Sequence, residues 1–219
     1  MMALALDTER GRATLRLSRL LADPLAVLPE GAVAVPGLFR APGFRALAPK
    51  ALAGTSAGVL LREIAEATRR LPDRLAPEMT QALALALAPE GQQAKARRYL
   101  AAAIHAPRLR AALLKTEREA MTALLGAGAF DFALREGAVF CHHLARFDER
   151  ALLTGADFAT HPVAETAHRL MAASLAASLP VAGHVYALRS TGAPLSDLPE
   201  LTELEIKQAL RAMERGRAA

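Results

Sequence analysis

The sequence predicts an all-α protein: a mostly helical single domain over residues 1–219, with an irregular Pro/Gly-rich segment at residues 24–54 wrapped over it. Three observations predict this. Hydrophobic residues make up 53% of the chain but aromatic ones only 4%, so the core is mostly Ala and Leu, with Phe at seven positions and no Trp. Alanine and leucine are strong helix formers, and the β-branched residues that strands favour are sparse. Apolar positions recur at helical spacing, and Pro, Gly and Thr stand where helices start and stop. A chain of 219 residues can bury one sizeable core, although length alone does not choose between one domain and two.

Thr8 to Ala22 reads as a first helix, with Leu17, Leu20 and Leu21 as its apolar stripe and Pro24 as its stop. Five prolines and four glycines then fall between Pro24 and Gly54. The Pro-Gly pairs at Pro36-Gly37 and Pro42-Gly43 set tight turns, since proline fixes φ and glycine supplies φ > 0. Phe39 and Phe44 follow them as candidate anchors. Thr55 to Leu71 is the next helix, capped by Thr55 or Ser56, with Leu60, Ile64, Ala67 and Leu71 on one face. Pro77 suits the first turn of a helix running to Ala88. Its LALALA run alternates like a strand, but alanine and leucine lack β-branching, and helix is the better assignment.

The stretch from Gln92 to Phe147 organises the rest. Pro89 precedes a helix with Tyr99, Leu100, Ala103 and Ile104 on one face, and Pro107 starts a short helix through Leu114. Thr116 and Glu119 have the spacing of a capping box for a helix ending at Gly126. Phe130, Leu134, Gly137, Cys141 and Leu144 line one face of a longer helix, its apolar arc widened by Phe132, Phe140 and Phe147. After a connector, His161-Pro162 opens a helix carrying Val163, Ala167, Leu170, Met171 and Ser174. Pro180 separates it from a short helix over Val181 to Arg189. Thr202 and Glu205 form a second capping box, for a last helix with Ile206, Leu210 and Met213 inside.

The formal charge is +5, from 27 basic and 22 acidic residues, with no run of five like charges. Such an excess permits an acidic partner without requiring one. The single cysteine, Cys141, excludes an internal disulfide framework and suits a reducing compartment. The apolar start ends at Asp7, too short for a secretory signal. Leu170 to Leu188 carries no charge but is rich in Ala and Ser and broken by Pro180, so two buried helices are expected there rather than a membrane span.

Several patterns invite chemistry. Gly54-Thr55-Ser56-Ala57-Gly58 matches G-x-S-x-G, the form a serine nucleophile takes between a buried strand and a helix. The preceding LAPKALA is a poor buried strand, so a helix cap is the favoured reading and a hydrolase using Ser56 the alternative. Cys141, His142 and His143 are adjacent, and neighbours on a helix point about 100° apart, which spoils convergence on one ion. His161, Glu165 and His168 share a helical face with the Glu-x-x-His spacing of di-iron bundles, without the second pair such sites need. Arg97, Arg98, Arg108 and Arg110 cluster in sequence and make a nucleic-acid-binding surface a further alternative. Gly126-Ala127-Gly128 is no dinucleotide loop, because Asp131 stands where a third glycine is required.

The span from Arg98 to Phe147 resembles the SctK (YscK) family, including its NolU-like members, which are accessory proteins of the type III secretion sorting platform. The similar features are Tyr99-Leu100, then Leu109 and Leu113, then Leu124-Leu125 before Gly126, then a helix opening with Phe130 to Leu134. Asp23-Pro24-Leu25 with Pro29 is loosely similar to the family's N-terminal region. The resemblance implies a non-enzymatic cytoplasmic adaptor, peripheral to the inner membrane. It would link an SctD-like inner-membrane ring protein to an SctQ-like pod protein. No catalytic residue, cofactor or metal, no nucleic acid and no direct membrane insertion are expected.

Overall fold

The computed structural model describes residues 8–29, 51–150, 153 and 157–219. Eleven α-helices and no strand are found among them, so the protein is all-α. In chain order these are α1 (Glu9–Ala22), α2 (Ser56–Arg69), α3 (Pro77–Leu87), α4 (Glu90–Ile104), α5 (Ala106–Ala111) and α6 (Lys115–Leu125). They continue with α7 (Ala127–Phe132), α8 (Ala138–Phe140), α9 (Pro162–Ser178), α10 (Pro180–Ser190) and α11 (Glu203–Ala218). Phe39 and Phe44, and most of the 24–54 segment, lie outside the described residues. Where one domain is expected, contacts group the chain into two compact units: residues 1–87 with 178–197, and residues 88–177 with 198–219.

The first unit holds α1, α2, α3 and α10. Thr8 caps α1, its hydroxyl accepting from the Gly11 N–H at 3.0 Å, and Leu17 and Leu20 are buried. α2 buries Ala57, Leu60, Ile64 and Thr68, with Leu71 beyond its end; Ala67 is only half-buried. Thr68 belongs to the inner stripe because its hydroxyl donates to the Ile64 carbonyl at 2.6 Å and so leaves no polar atom unpaired. The LALALA run is indeed helical, in α3. α10 packs on α2 and α3, and Arg189 donates to the Ala86 carbonyl at 3.0 Å. Leu179 is extended (φ −158°, ψ 111°) between α9 and α10, as Pro180 requires of the residue before it. No helix among the described residues is long and apolar enough to cross a membrane.

The second unit is built on α4, whose C-terminal half from Leu100 to Ile104 is completely buried. α5, α6, α7 and α11 all pack on it. Ala101, Leu109, Leu124, Leu125, Phe130 and Phe158 form its core, to which α9 adds Val163 and Ala167. The α4–α11 contact is close because it is small: at Gly216 a Cβ would meet the Ala96 Cα at 2.8 Å.

Three local expectations change. The Thr116–Glu119 capping box does not form: α6 begins at Lys115, its N-cap is Leu114, and no side chain caps it. Ala112 and Leu114 are extended, so the helix opens before Thr116 and leaves that residue inside the first turn. Glu119 instead pairs with Lys115 at 3.7 Å. The helix expected to run on from Phe130 is broken into α7, a π segment at Ala133–Gly137, the short α8 and a 3-10 segment at His142–Phe147. Its inward face largely survives, with Phe130, Gly137, Cys141 and Leu144 buried and Leu134 half-buried. Phe140 turns outward, 46% exposed, under the Arg211 guanidinium at 3.9 Å. In α11 Leu210 and Met213 are buried as expected, together with Glu205, Gln208, Ala209, Ala212 and Gly216, but Ile206 is only half-buried.

The second capping box forms in full. Thr202 Oγ1 accepts from the Glu205 N–H at 3.3 Å, and the Glu205 carboxylate accepts from the Thr202 N–H at 2.8 Å. Arg146 closes over the same buried carboxylate, which it reaches at 3.0 Å through Nη2. Burial pulls this carboxyl upward, but Thr202 and Arg146 outweigh it and hold Glu205 below the usual glutamate range. Thr202→Ala is expected to cost about 1 kcal/mol, read as a lowered urea midpoint with an unchanged slope.

Candidate functional site

Ser56 is exposed at the first turn of α2. Ala51 and Leu52 before it are helical and lead into a turn, so the strand that a nucleophile elbow needs is not there. The motif's residues serve the turn. Thr55 Oγ1 donates to the Leu52 carbonyl at 2.7 Å and accepts from the Gly58 N–H at 3.2 Å, which caps α2. Gly58 lies so close to that carbonyl that a Cβ would stand 1.9 Å from its oxygen. The final glycine of G-T-S-A-G is thus a packing requirement.

A cleft of about 330 Å³ opens in the first unit between α2 and α10, lined by Glu63, Glu66, Arg70, Leu71, Leu179 and His184, among others. His184 Nδ1 lies 3.1 Å from Glu63 Oε2, and Arg70 pairs with Glu66 at 2.5 Å. Ser56 is seven residues before Glu63, about 10 Å along the helix axis at 1.5 Å per residue. The hydroxyl and the His–Glu pair therefore sit on different turns.

The histidine and cysteine patterns separate in space. Cys141 is buried, its Sγ facing the Gln208 carbonyl at 3.7 Å, and burial pushes the thiol up to about 11. His142 and His143 are exposed, with ring centroids 4.1 Å apart. His161 Nδ1 accepts from the Val163 N–H at 3.2 Å, so the lone pair facing α9 is spent on its first turn. Glu165 is exposed, while His168 is half-buried. Burial, then Arg97, hold His168 below the ordinary histidine value against the pull of Glu165 and Glu90. Among the described residues no group of three His, Cys, Asp or Glu side chains is placed to hold a metal ion.

The arginines are mostly occupied within the protein. Arg97 pairs with Glu90 at 2.5 Å, Arg98 lies over the Phe158 ring at 5.5 Å, and Arg108 donates to Asp148 at 3.0 Å. Arg110 is exposed. Three of the four thus have a partner within the protein.

The feature that sequence reasoning missed lies between α5 and α6. Leu113 and Leu114, expected at the end of a helix, stand in an extended linker, 89% and 61% exposed. Helical spacing conceals this, because the linker interrupts the period without a Pro or Gly to announce it. Beside them runs an open groove of about 650 Å³ lined by Leu113, Lys115, Arg118, Glu119, Ala123 and Phe130, among others. Arg118 lies over the Phe130 ring at 5.9 Å. Two large aliphatic side chains on the surface, beside a groove with an aromatic wall and a charged rim, have the composition of a protein-binding patch.

No family model, curated protein or solved structure matches the chain.

Proposed function

We propose that this protein is a non-enzymatic adaptor that binds other proteins through the surface of its helical units. The observation that carries the proposal is the Leu113–Leu114 ledge. Leucines exposed to this degree lose apolar hydration cost only when a partner covers them. The charged residues around the groove supply the rim that tunes encounter and register.

The particular assembly we propose is the bacterial type III secretion sorting platform, with the protein in the cytoplasm and held at the inner membrane through other proteins. Its partners there are an SctD-like ring protein and an SctQ-like pod protein. What supports this choice is the resemblance of residues 98–147 to the SctK family, a span that includes the ledge. The test is cross-linking and capture of the tagged chain from its own bacterium. Recovery of the ring and pod proteins is expected, and recovery of neither overturns the assembly assignment. The double change Leu113→Asp with Leu114→Asp is expected to weaken capture at least tenfold, about 1.4 kcal/mol. Its stability should stay within about 0.5 kcal/mol, because both side chains already face water. Undiminished capture by the double variant removes the ledge as the docking point.

A further inference from the structure

We propose that His105, Asp148 and Arg108 form an acid-operated latch in the second unit: when His105 takes up a proton, a charged ring is sealed from water with no acceptor for its Nε2–H, and the segment ending at Asp148 opens to hydrate it.

The geometry is as follows. His105 closes the C-terminal end of α4 and is 1% exposed. Its Nδ1 lies 3.0 Å from Asp148 Oδ1, outside the direction of a well-formed hydrogen bond, and its Nε2 has no hydrogen-bond partner. The same Oδ1 accepts from Arg108 Nη1 at 3.0 Å and from the Arg150 N–H at 2.8 Å. Asp148 follows directly on the 3-10 segment His142–Phe147. That segment is otherwise tied to α11 by the His143 N–H on Gln208 and by Arg146 on Glu205. The segment also packs on α4 and α5, with Leu144 fully buried, and Asp148 adds a polar tie to both helices at its far end.

A neutral ring facing a carboxylate keeps its proton on Nδ1 and leaves the Nε2 lone pair to receive the next one. The charged and titratable groups acting on His105 are Asp148, Arg108 on α5 and His161 at the start of α9. Burial first, then Arg108 and His161, hold the imidazole below the ordinary histidine value; Asp148 pulls the other way and is outweighed. With the segment released or the chain unfolded, His105 is hydrated and titrates near 6.5. The open state therefore binds more protons than the closed one, so closure is favoured at high pH and lost as pH falls from about 6.5 toward the folded value. Asp148 is itself held below the usual aspartate range. Burial raises it, but the Arg150 N–H, His105 and Arg108 together lower it further. Its own contribution is lost only at more acid pH, and the two windows do not coincide.

The test is hydrogen exchange on the full chain at about pH 7.5 and about pH 5.0, corrected for the intrinsic pH dependence of exchange. Amides of residues 142–150 are expected to lose about tenfold more protection than those of α11. His105→Asn is expected to abolish this difference, while His168→Gln, which changes a half-buried histidine of the same unit, preserves it. Equal loss in α11, or a difference that persists in His105→Asn, overturns the latch. Should His105→Asn fail to fold, the ring-proton titration of His105 in the wild-type chain decides. A midpoint matching that of segment release supports the latch, and a mismatch overturns it.

Discussion

Gly58→Ala is expected to destabilise the first unit by roughly 2–3 kcal/mol, whereas Gly54→Ala, four residues away in the same motif, should stay within about 0.5 kcal/mol of wild type. Alanine normally gains about 1 kcal/mol over glycine inside a helix. Here that gain is overridden. The new Cβ would stand 1.9 Å from the Leu52 oxygen and 2.7 Å from its carbonyl carbon, both backbone atoms that cannot rotate away. The turn has to move. Moving it strains the Thr55 N–H bond to the Leu52 carbonyl (2.9 Å) and the Thr55 hydroxyl bond to the same oxygen (2.7 Å), so the N-cap of α2 suffers too. At Gly54 a Cβ meets nothing within 4 Å. Urea unfolding of the two variants side by side checks this. Equal stabilities would mean that the close approach of α2 to Leu52 is not present in solution. Activity is no part of this comparison, which is what separates a structural glycine from one belonging to a nucleophile elbow.

Gly216→Val is expected to cost a further unit-wide 2–3 kcal/mol, the second large effect. Gly216 is buried where α11 crosses α4. A Cβ there would lie 2.8 Å from the Ala96 Cα and 2.8 Å from the Lys95 carbonyl oxygen. Valine adds two methyl groups beyond that atom, into backbone on the facing helix. Helices that meet over Gly and Ala approach more closely than leucine-lined ones, and interiors at crystal-like density have no slack to accept the bulk. Two responses are distinguishable. If α11 moves as a body, the urea midpoint falls and protection drops along the whole helix. If only its last turn peels away, protection is lost from Gly216 to Ala218 and the midpoint barely changes. The first is expected, because Met213 and Ala212 one turn earlier are fully buried and anchor the same face.

Much of this was legible along the chain. The all-α class and most helix positions followed from alanine–leucine content, period and punctuation. The Thr55 and Thr202 caps could be read because a cap is a local event: one side chain and a backbone N–H three residues on. The Thr116 cap failed for the opposite reason. The Thr-x-x-Glu spacing was present, but α6 begins one residue earlier, at Lys115, so Thr116 lies inside the first turn instead of capping it. The π segment at Ala133–Gly137 has no sequence mark. It adjusts the helix so that Gly137, packed near Ala106, and then Cys141 and Leu144 stay inward.

The candidate sites divide in the same way. Spacing along the chain read His161 and His168 as one helical face, yet could not see that His161 lies before α9 and is occupied by its first turn. Neither could it see His105 beside Asp148, because those residues are 43 positions apart and meet only through packing. The four arginines looked like one basic cluster, until Glu90, Phe158 and Asp148 proved to engage three of them. What short-range chemistry settled was which segments coil and where they are capped, since a helix satisfies its own backbone within four residues. Which leucines face water, which histidine is sealed from it and which glycines touch another segment's backbone were left to long-range packing. Those outcomes depend on how much room the neighbouring segments leave, and no window of adjacent residues contains that information.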